Sequence, residues 1–245
     1  MTLLFPVKHD ATLLPFFLTY YRRLGITRFV CALCNGRENP VWLQVREWTD
    51  QVDVRFWYCD DAVYCGPLEA RALERIRRTL PGPWHVVVDL DEFYWLPDRM
   101  TLPELVLRLD RGGYAGAHCS LVDRVAAGGL LVSPGYSLEA SYPLACDLTR
   151  TLGANCHKVP VVQAGVKLLS GHHRLAGARP CLDIGELHHF KWRLGVESYL
   201  RARYKTLLGL RLAWAKESLD GAERCAGGRV RLDGLRIWIP PALGI

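Results

Sequence analysis

The sequence has 245 residues, half of them hydrophobic and under a quarter charged, a globular composition that excludes a disordered chain. That length supports one sizeable α/β core, or one core with an appendage. The formal net charge of +6 suits an anionic small ligand, a phosphate-rich acceptor or an anionic membrane surface, and falls short of the Lys/Arg clustering of a dedicated nucleic-acid binder.

In chain order, the apolar run 3–7 predicts a buried first strand. A helix follows, with Asp10 or Thr12 as its cap, Pro15 in its first turn and Gly25 at its stop. Residues 28–33 predict a second buried strand, closed by Asn35-Gly36. Residues 41–49 predict a helix, 52–58 a strand, and 68–80 an amphipathic basic helix carrying Arg71. The strand 84–88 then runs straight into Asp89-Leu90-Asp91-Glu92-Phe93.

Such alternation implies right-handed crossovers and a mainly parallel sheet. The expected class is therefore α/β, Rossmann-like, with helices on both faces and a C-terminal β-hairpin and helix elaboration. Ligands of such sheets sit at the carboxyl ends of the strands. Val7-Lys8-His9-Asp10, Asn35-Gly36, Asp60-Asp61 and Asp89-Leu90-Asp91 all lie at such ends. After Asp110 strands and turns dominate: Ala127-Gly128-Gly129 and Gln163-Ala164-Gly165 break apolar runs, and Asp233-Gly234 predicts a hairpin between 229–232 and 235–239. Residues 196–219 predict a helix rich in Arg and Lys. No repeat or low-complexity linker occurs, so a single domain, 1–245, is expected.

Nine cysteines scattered through apolar stretches predict buried free thiols in a reducing cytoplasm rather than a disulfide framework. Cys31-x-x-Cys34 lacks the second ligand pair of a zinc site and reads as two strand residues. The opening residues lack the basic leader of an export signal, and no run approaches the ~20 apolar residues of a membrane span. The expected location is cytoplasmic, with peripheral contact at the inner membrane face as an extension.

Asp89 and Asp91 share one side of an extended chain, because side chains alternate along it. Paired carboxylates at a strand end suit Mg²⁺ or Mn²⁺, which take oxygen ligands, bridge to phosphate and neutralise a departing diphosphate. The plainer alternative is that one of the two caps the following turn. Histidines cluster later, as His172-His173 and His188-His189, the second pair beside Lys191 and Trp192. Placed in turns, one of these four could complete a metal shell, and Lys191 offers a point charge for phosphate.

These residues resemble the bacterial family 2-like glycosyltransferases, including the branch related to family 92. The likeness rests on Val7-Lys8-His9-Asp10, Tyr20-Tyr21-Arg22-Arg23-Leu24-Gly25-Ile26, Trp84 leading to Asp89-Leu90-Asp91-Glu92-Phe93, Asp123-Arg124, Lys158-Val159, Gly171-His172-His173 and His189-Phe190-Lys191-Trp192, over about residues 3 to 220. It implies a GT-A fold and a Mn²⁺- or Mg²⁺-dependent transfer, with inversion, from a nucleoside-diphosphate sugar, a UDP-sugar first. The acceptor would be a glycan, a lipid-linked molecule or a small molecule. By position, Asp89 and Asp91 match the metal and donor motif, with His189 as the late imidazole of the metal shell. Val7, Lys8 and Asp10 match the nucleotide-contacting segment, and Asn35-Gly36 meets the base or ribose. Asp60, Arg71 and Lys191 join the donor-binding set. Residues 1–110 would form the nucleotide-binding half and 111–245 the acceptor side. The family's late Glu-Asp pair, which deprotonates the acceptor, does not occur here. Asp123 is the first candidate for that base, with an Asp123–Arg124 salt bridge or turn cap as its alternative, and Glu186 and Glu217 open.

Two rival readings stand. An aspartate-nucleophile phosphoryl-transfer enzyme also places Asp-x-Asp after a strand, but usually after the first strand and followed by a small hydroxyl residue. A non-catalytic binding module would leave carboxylates and histidines apart and put function in the basic helix 196–219, lying on an anionic membrane or, more plainly, a solvated face.

Overall fold

The computed structural model describes residues 1–59, 66–212 and 214–245. Asp60 and Asp61 lie outside the described residues. The strands are β1 (Thr2–Val7), β2 (Arg28–Cys34), β3 (Val52–Trp57), β4 (Trp84–Val87), β5 (Glu92–Trp95), β6 (Gly116–Val125) and β7 (Leu144–Cys146). They continue as β8 (His157–Gln163), β9 (Pro180–Cys181), β10 (Glu186–His189), β11 (Cys225–Ala226), β12 (Arg229–Val230) and β13 (Ile237–Trp238). The α-helices are α1 (Leu14–Arg23), α2 (Trp42–Val45), α3 (Gly66–Arg77), α4 (Leu102–Arg111), α5 (Leu138–Ser141), α6 (Leu148–Thr151), α7 (Val196–Gly209) and α8 (Ala215–Arg224). They form two compact units, one of Met1–Ser120 with His157–Leu187, the other of Leu121–Cys156 with His188–Ile245. The first unit thus takes residues 111–120 and 157–187 from the half expected on the acceptor side.

In the first unit the sheet order is β3–β2–β1–β4–β8–β6. The pairs β3–β2, β2–β1 and β1–β4 are parallel, whereas β8 runs antiparallel to both β4 and β6. This is the α/β, Rossmann-like architecture expected. Chain order reverses between β1 and β4, and that crevice is where such sheets take their ligands. All six residues of β1 are buried, which requires an apolar run because both sheet faces are covered. On one face Leu4, Val30 and Ala32 pack with Ala72, Leu73 and Ile76 of α3. On the other, Phe5 meets Phe17 of α1 at 4.9 Å, and Phe17 meets Phe93 at 5.9 Å.

Several local expectations need correction. Neither Asp10 nor Thr12 caps α1: Leu13 holds that position, and Asp10 Oδ1 accepts from the Thr12 N–H at 2.8 Å and hydroxyl at 2.7 Å, closing a turn upstream. The helix expected over 41–49 is only α2 followed by a 3₁₀ turn, Arg46–Trp48. Helix α4 is additional to the expected elements, although Thr101 and Glu104 form a capping box at its start, a signal visible in the sequence.

In the second unit the 123–125 end of β6 pairs antiparallel with β7, and β7 with β13. The hairpin expected at Asp233-Gly234 instead joins β11 to β12 through Gly227 and Gly228. Both glycines have positive φ, 57° and 72°, as the favoured two-residue hairpin turn demands. The helix expected over 196–219 is broken into α7 and α8, with Arg211 at φ 53° in the connection. Three of its basic residues form ion pairs: Arg201 with Glu197 at 2.9 Å, Arg203 with Glu217 at 3.7 Å, Lys216 with Asp220 at 2.5 Å. Among the described residues no helix is long and apolar enough to cross a membrane.

Candidate functional site

Strand β4 ends at Val87, and the chain turns back within four residues. The Asp89 N–H donates to Glu92 Oε2 at 2.9 Å, and the Glu92 N–H donates to the Asp89 carbonyl at 3.0 Å. This double tie fixes the turn that carries Asp89 and Asp91. Below it lies Lys158 of β8, whose Nζ is 2.8 Å from Glu92 Oε1 and 3.3 Å from Asp89 Oδ2. Glu92 is 1% and Lys158 8% exposed, while the Asp89 side chain is 40% exposed. The turn therefore has a buried, charge-compensated floor and a carboxylate reachable from solvent.

Electrostatics follow from that layering. Burial works to raise the Asp89 carboxyl, but the positive charge of Lys158, with His172 and Lys8, outweighs it and holds the group well below the usual carboxylate range. Burial likewise works to lower Lys158, and Glu92 and Asp89 reverse it, so the ammonium stays protonated. His172 is 7% exposed at φ 59°. Burial, opposed by Asp89 and reinforced by Lys158, His173 and Lys8, pushes its imidazole down to about 4. It is neutral at physiological pH, and its Nδ1 has no hydrogen-bond partner among the described residues.

At the carboxyl end of β1, Lys8 Nζ pairs with Glu69 Oε2 of α3 at 2.7 Å. Val7 itself is buried and offers only backbone. The ends of β1, β2 and β3 enclose an open cleft of about 630 Å³ lined by Lys8, His9, Asn35, Asn39, Tyr58 and Cys59 among others. Its wall is built by side-chain to main-chain bonds. Asn39 Nδ2 donates to the carbonyls of Lys8 at 2.6 Å and Cys34 at 2.9 Å, and Asn35 Oδ1 accepts from the Cys59 N–H at 2.9 Å. Asn35 and Gly36 both have positive φ, and a Cβ on Gly36 would sit 2.9 Å from the Tyr58 hydroxyl. Tyr58 is 70% exposed and presents its ring to solvent. Arg71 is exposed on α3. Asn39, Glu69 and Tyr58 did not stand out in the sequence, because no local spacing distinguishes them, and Glu92 stood in the Asp89–Phe93 motif with no role of its own.

The other histidines go elsewhere. His173 Nδ1 donates to the His157 carbonyl at 2.5 Å. His188 and His189 lie in β10, not in a turn. His188 Nδ1 accepts from Arg124 Nη1 at 2.9 Å, and Arg124 also donates to the Tyr142 carbonyl at 2.6 Å. His189 Nδ1 is 3.2 Å from Asp123 Oδ1. Asp123 further accepts from the Thr149 N–H at 2.6 Å, the Thr149 hydroxyl at 2.8 Å and Trp192 Nε1 at 2.9 Å. At 1% exposure and with four donors on it, three of them on Oδ1, that carboxylate is held inside the second unit by its own protein. Asp123 thus ties Thr149, His189 and Trp192 to β6 within the second unit. Nor does it pair with Arg124, since neighbours on a strand face opposite sides. Lys191 lies 5.2 Å from the Trp192 ring, in the same unit.

The first-unit turn offers two carboxylates and, among the described residues, no closed cage for a divalent cation. Among the described residues no group of three His, Cys, Asp or Glu side chains is placed to cage an ion. Two carboxylates on an open turn match a cation that draws its remaining ligands from water and phosphate, as Mg²⁺ and Mn²⁺ do.

No family model and no curated protein matches the chain. Among solved structures, residues 1–349 of S. aureus TarS superpose with a TM-score of 0.43 at 11% identity, covering 91% of this chain and 71% of that one. A mannosyltransferase from Pyrobaculum calidifontis, in complex with GDP-Man and Mn²⁺, gives 0.41 at 15% identity, covering 93% and 65%. A 4-diphosphocytidyl-2C-methyl-D-erythritol synthase gives 0.39 at 21%, covering 75% and 89%. At these scores neither activity nor residue roles transfer, and function has to be read from the chain's own topology and chemistry.

Proposed function

We propose that the chain is a glycosyltransferase that takes its sugar from a nucleoside-diphosphate donor held at the β1–β4 switch point. The observation that carries this reading is the solvent-reachable Asp89–Asp91 turn, fixed by Glu92 and Lys158 where strand order reverses, beside the cleft at the ends of β1, β2 and β3. The donor's base and ribose would occupy that cleft, against Tyr58 and the wall set by Asn35, Gly36 and Asn39. Lys8 would face the phosphates. Asp89 and Asp91 would hold a Mn²⁺ or Mg²⁺ ion, which supplies charge neutralisation for the departing diphosphate. His172, in the same unit as Asp89 and within reach of its charge, is the imidazole we assign to that ion. A UDP-sugar is the first donor to test, with inversion the stereochemical expectation. Lys191 and Arg71 are assigned no donor contact.

The acceptor base passes to another carboxylate. Glu217 pairs with Arg203 in the second unit. Glu186 belongs to the first unit and opens β10, which pairs with β5, the strand that begins at Glu92. It is the candidate that reaches the neighbourhood of the acidic turn.

The test is equilibrium binding of UDP, GDP and dTDP with and without Mn²⁺, on the wild type and on Asp91→Asn. Metal-dependent binding of one nucleotide, lost in Asp91→Asn with the melting temperature unchanged, supports the reading. Binding that ignores both the metal and the substitution overturns it, and points to a phosphoryl-transfer enzyme or a binding module on this fold.

A further inference from the structure

We propose that Lys158 is a built-in cation that keeps the Asp89–Asp91 turn from loading a divalent ion alone, so that ion and nucleoside diphosphate enter together. This rests on the donor-site reading above and adds a positioning residue to it.

Lys158 is not a mobile surface lysine. It lies in β8, paired with β4 through the Val86–Val161 register and with β6 opposite Cys119. Its side chain is 8% exposed and its Nζ is held by Glu92 at 2.8 Å. Glu92 is in turn tied to the Asp89 N–H through its other oxygen, so ammonium, carboxylate and turn form one rigid unit. The ammonium then reaches Asp89 Oδ2 at 3.3 Å, on the carboxylate a divalent ion would use.

An ion on that carboxylate would lie within roughly 6 Å of Nζ, where like charges repel and a buried charge is little screened by salt. Two aspartates, one of them already sharing its charge with an ammonium, are a poor site for Mn²⁺ in water. The diphosphate of a donor brings negative charge and oxygen ligands, and restores the balance. Lys158 would thus set the order of loading without touching the reacting atoms. Were its role confined to neutralising Glu92 for folding, its removal would leave metal affinity unchanged.

The experiment titrates Mn²⁺ alone, and Mn²⁺ with saturating UDP, following free Mn²⁺ by electron paramagnetic resonance. The wild type should bind Mn²⁺ weakly alone and at least about tenfold more tightly with UDP. In Lys158→Met the affinity for Mn²⁺ alone should rise by about tenfold or more, and the gain on adding UDP should shrink correspondingly. Because that variant strands a buried Glu92, Lys158→Met/Glu92→Gln removes the ion pair as a whole and should show a smaller rise of the same sign, since the lost carboxylate offsets part of the lost ammonium. If the folded variants bind Mn²⁺ alone within about twofold of the wild type, the proposal is wrong. Failure of the wild type to bind UDP in the presence of Mn²⁺ would overturn the donor-site reading instead, while the comparison with Mn²⁺ alone still decides the part played by Lys158.

Discussion

Replacing Asp123 by asparagine separates a structural from a catalytic carboxylate. Its Oδ1 accepts from the Thr149 hydroxyl at 2.8 Å, Trp192 Nε1 at 2.9 Å and His189 Nδ1 at 3.2 Å, and its Oδ2 from the Thr149 N–H at 2.6 Å. An asparagine oriented to keep Oδ1 turns its NH₂ toward the Thr149 N–H and leaves that buried donor unmatched, a cost of about 1–3 kcal/mol. The three remaining bonds lose charge assistance, adding about 1 kcal/mol in all. The expected loss is about 2–4 kcal/mol, which for a chain of this size lowers Tm by about 5–15 °C. Urea unfolding followed by tryptophan fluorescence measures it. A variant within about 0.5 kcal/mol of the wild type would refute the reasoning. The same network has a pH signature. Burial opposes ionisation of Asp123, but His189, Thr149 and Trp192 hold the carboxyl below its ordinary value. The stability it contributes is therefore present above the unfolded carboxyl value near pH ~4 and is lost as pH falls through the depressed one. In Asp123→Asn this part of the acid loss should vanish.

Asn39→Ala removes bonds to the Lys8 and Cys34 carbonyls and to the Val41 N–H, and should cost about 2–3 kcal/mol while weakening UDP binding, read by thermal melts and calorimetry. Gly36→Ala forces a side chain into left-handed backbone and against Tyr58, and should cost about 1–2 kcal/mol in the same melts, with weaker UDP binding. Asp91→Asn should leave Tm within about 2 °C and abolish Mn²⁺-dependent UDP binding, whereas retained binding would remove Asp91 from the site.

The parallel half of the fold was legible because β1, β2 and β4 are buried on both faces and must read as unbroken apolar runs. The Asp89–Asp91 turn was legible because it ends such a run. The floor of the site was not. Lys158 reaches Glu92 and Asp89 across strand pairings that set residues 69 apart in sequence at 3.3 Å, and no local periodicity encodes that register. Histidine pairing misled for the same reason: His172 and His189 look alike in sequence, yet one lies beside Asp89 and the other is held by Asp123. Both turn signals are used: Asp233-Gly234 turns the chain, but its flanks pair elsewhere, β12 with β11 and β13 with β7, so the hairpin forms at Gly227-Gly228.

The central claim is that the Asp89–Asp91 turn carries a cation bridged to a nucleoside diphosphate. Anomalous scattering from crystals grown with UDP and Mn²⁺ tests it most directly. The expected result is a manganese peak ~2.1 Å from a carboxylate oxygen of Asp89 or Asp91, with diphosphate oxygens on its other side and uracil in the cleft beside Tyr58. A manganese peak away from that turn, or UDP bound outside the cleft, would contradict it.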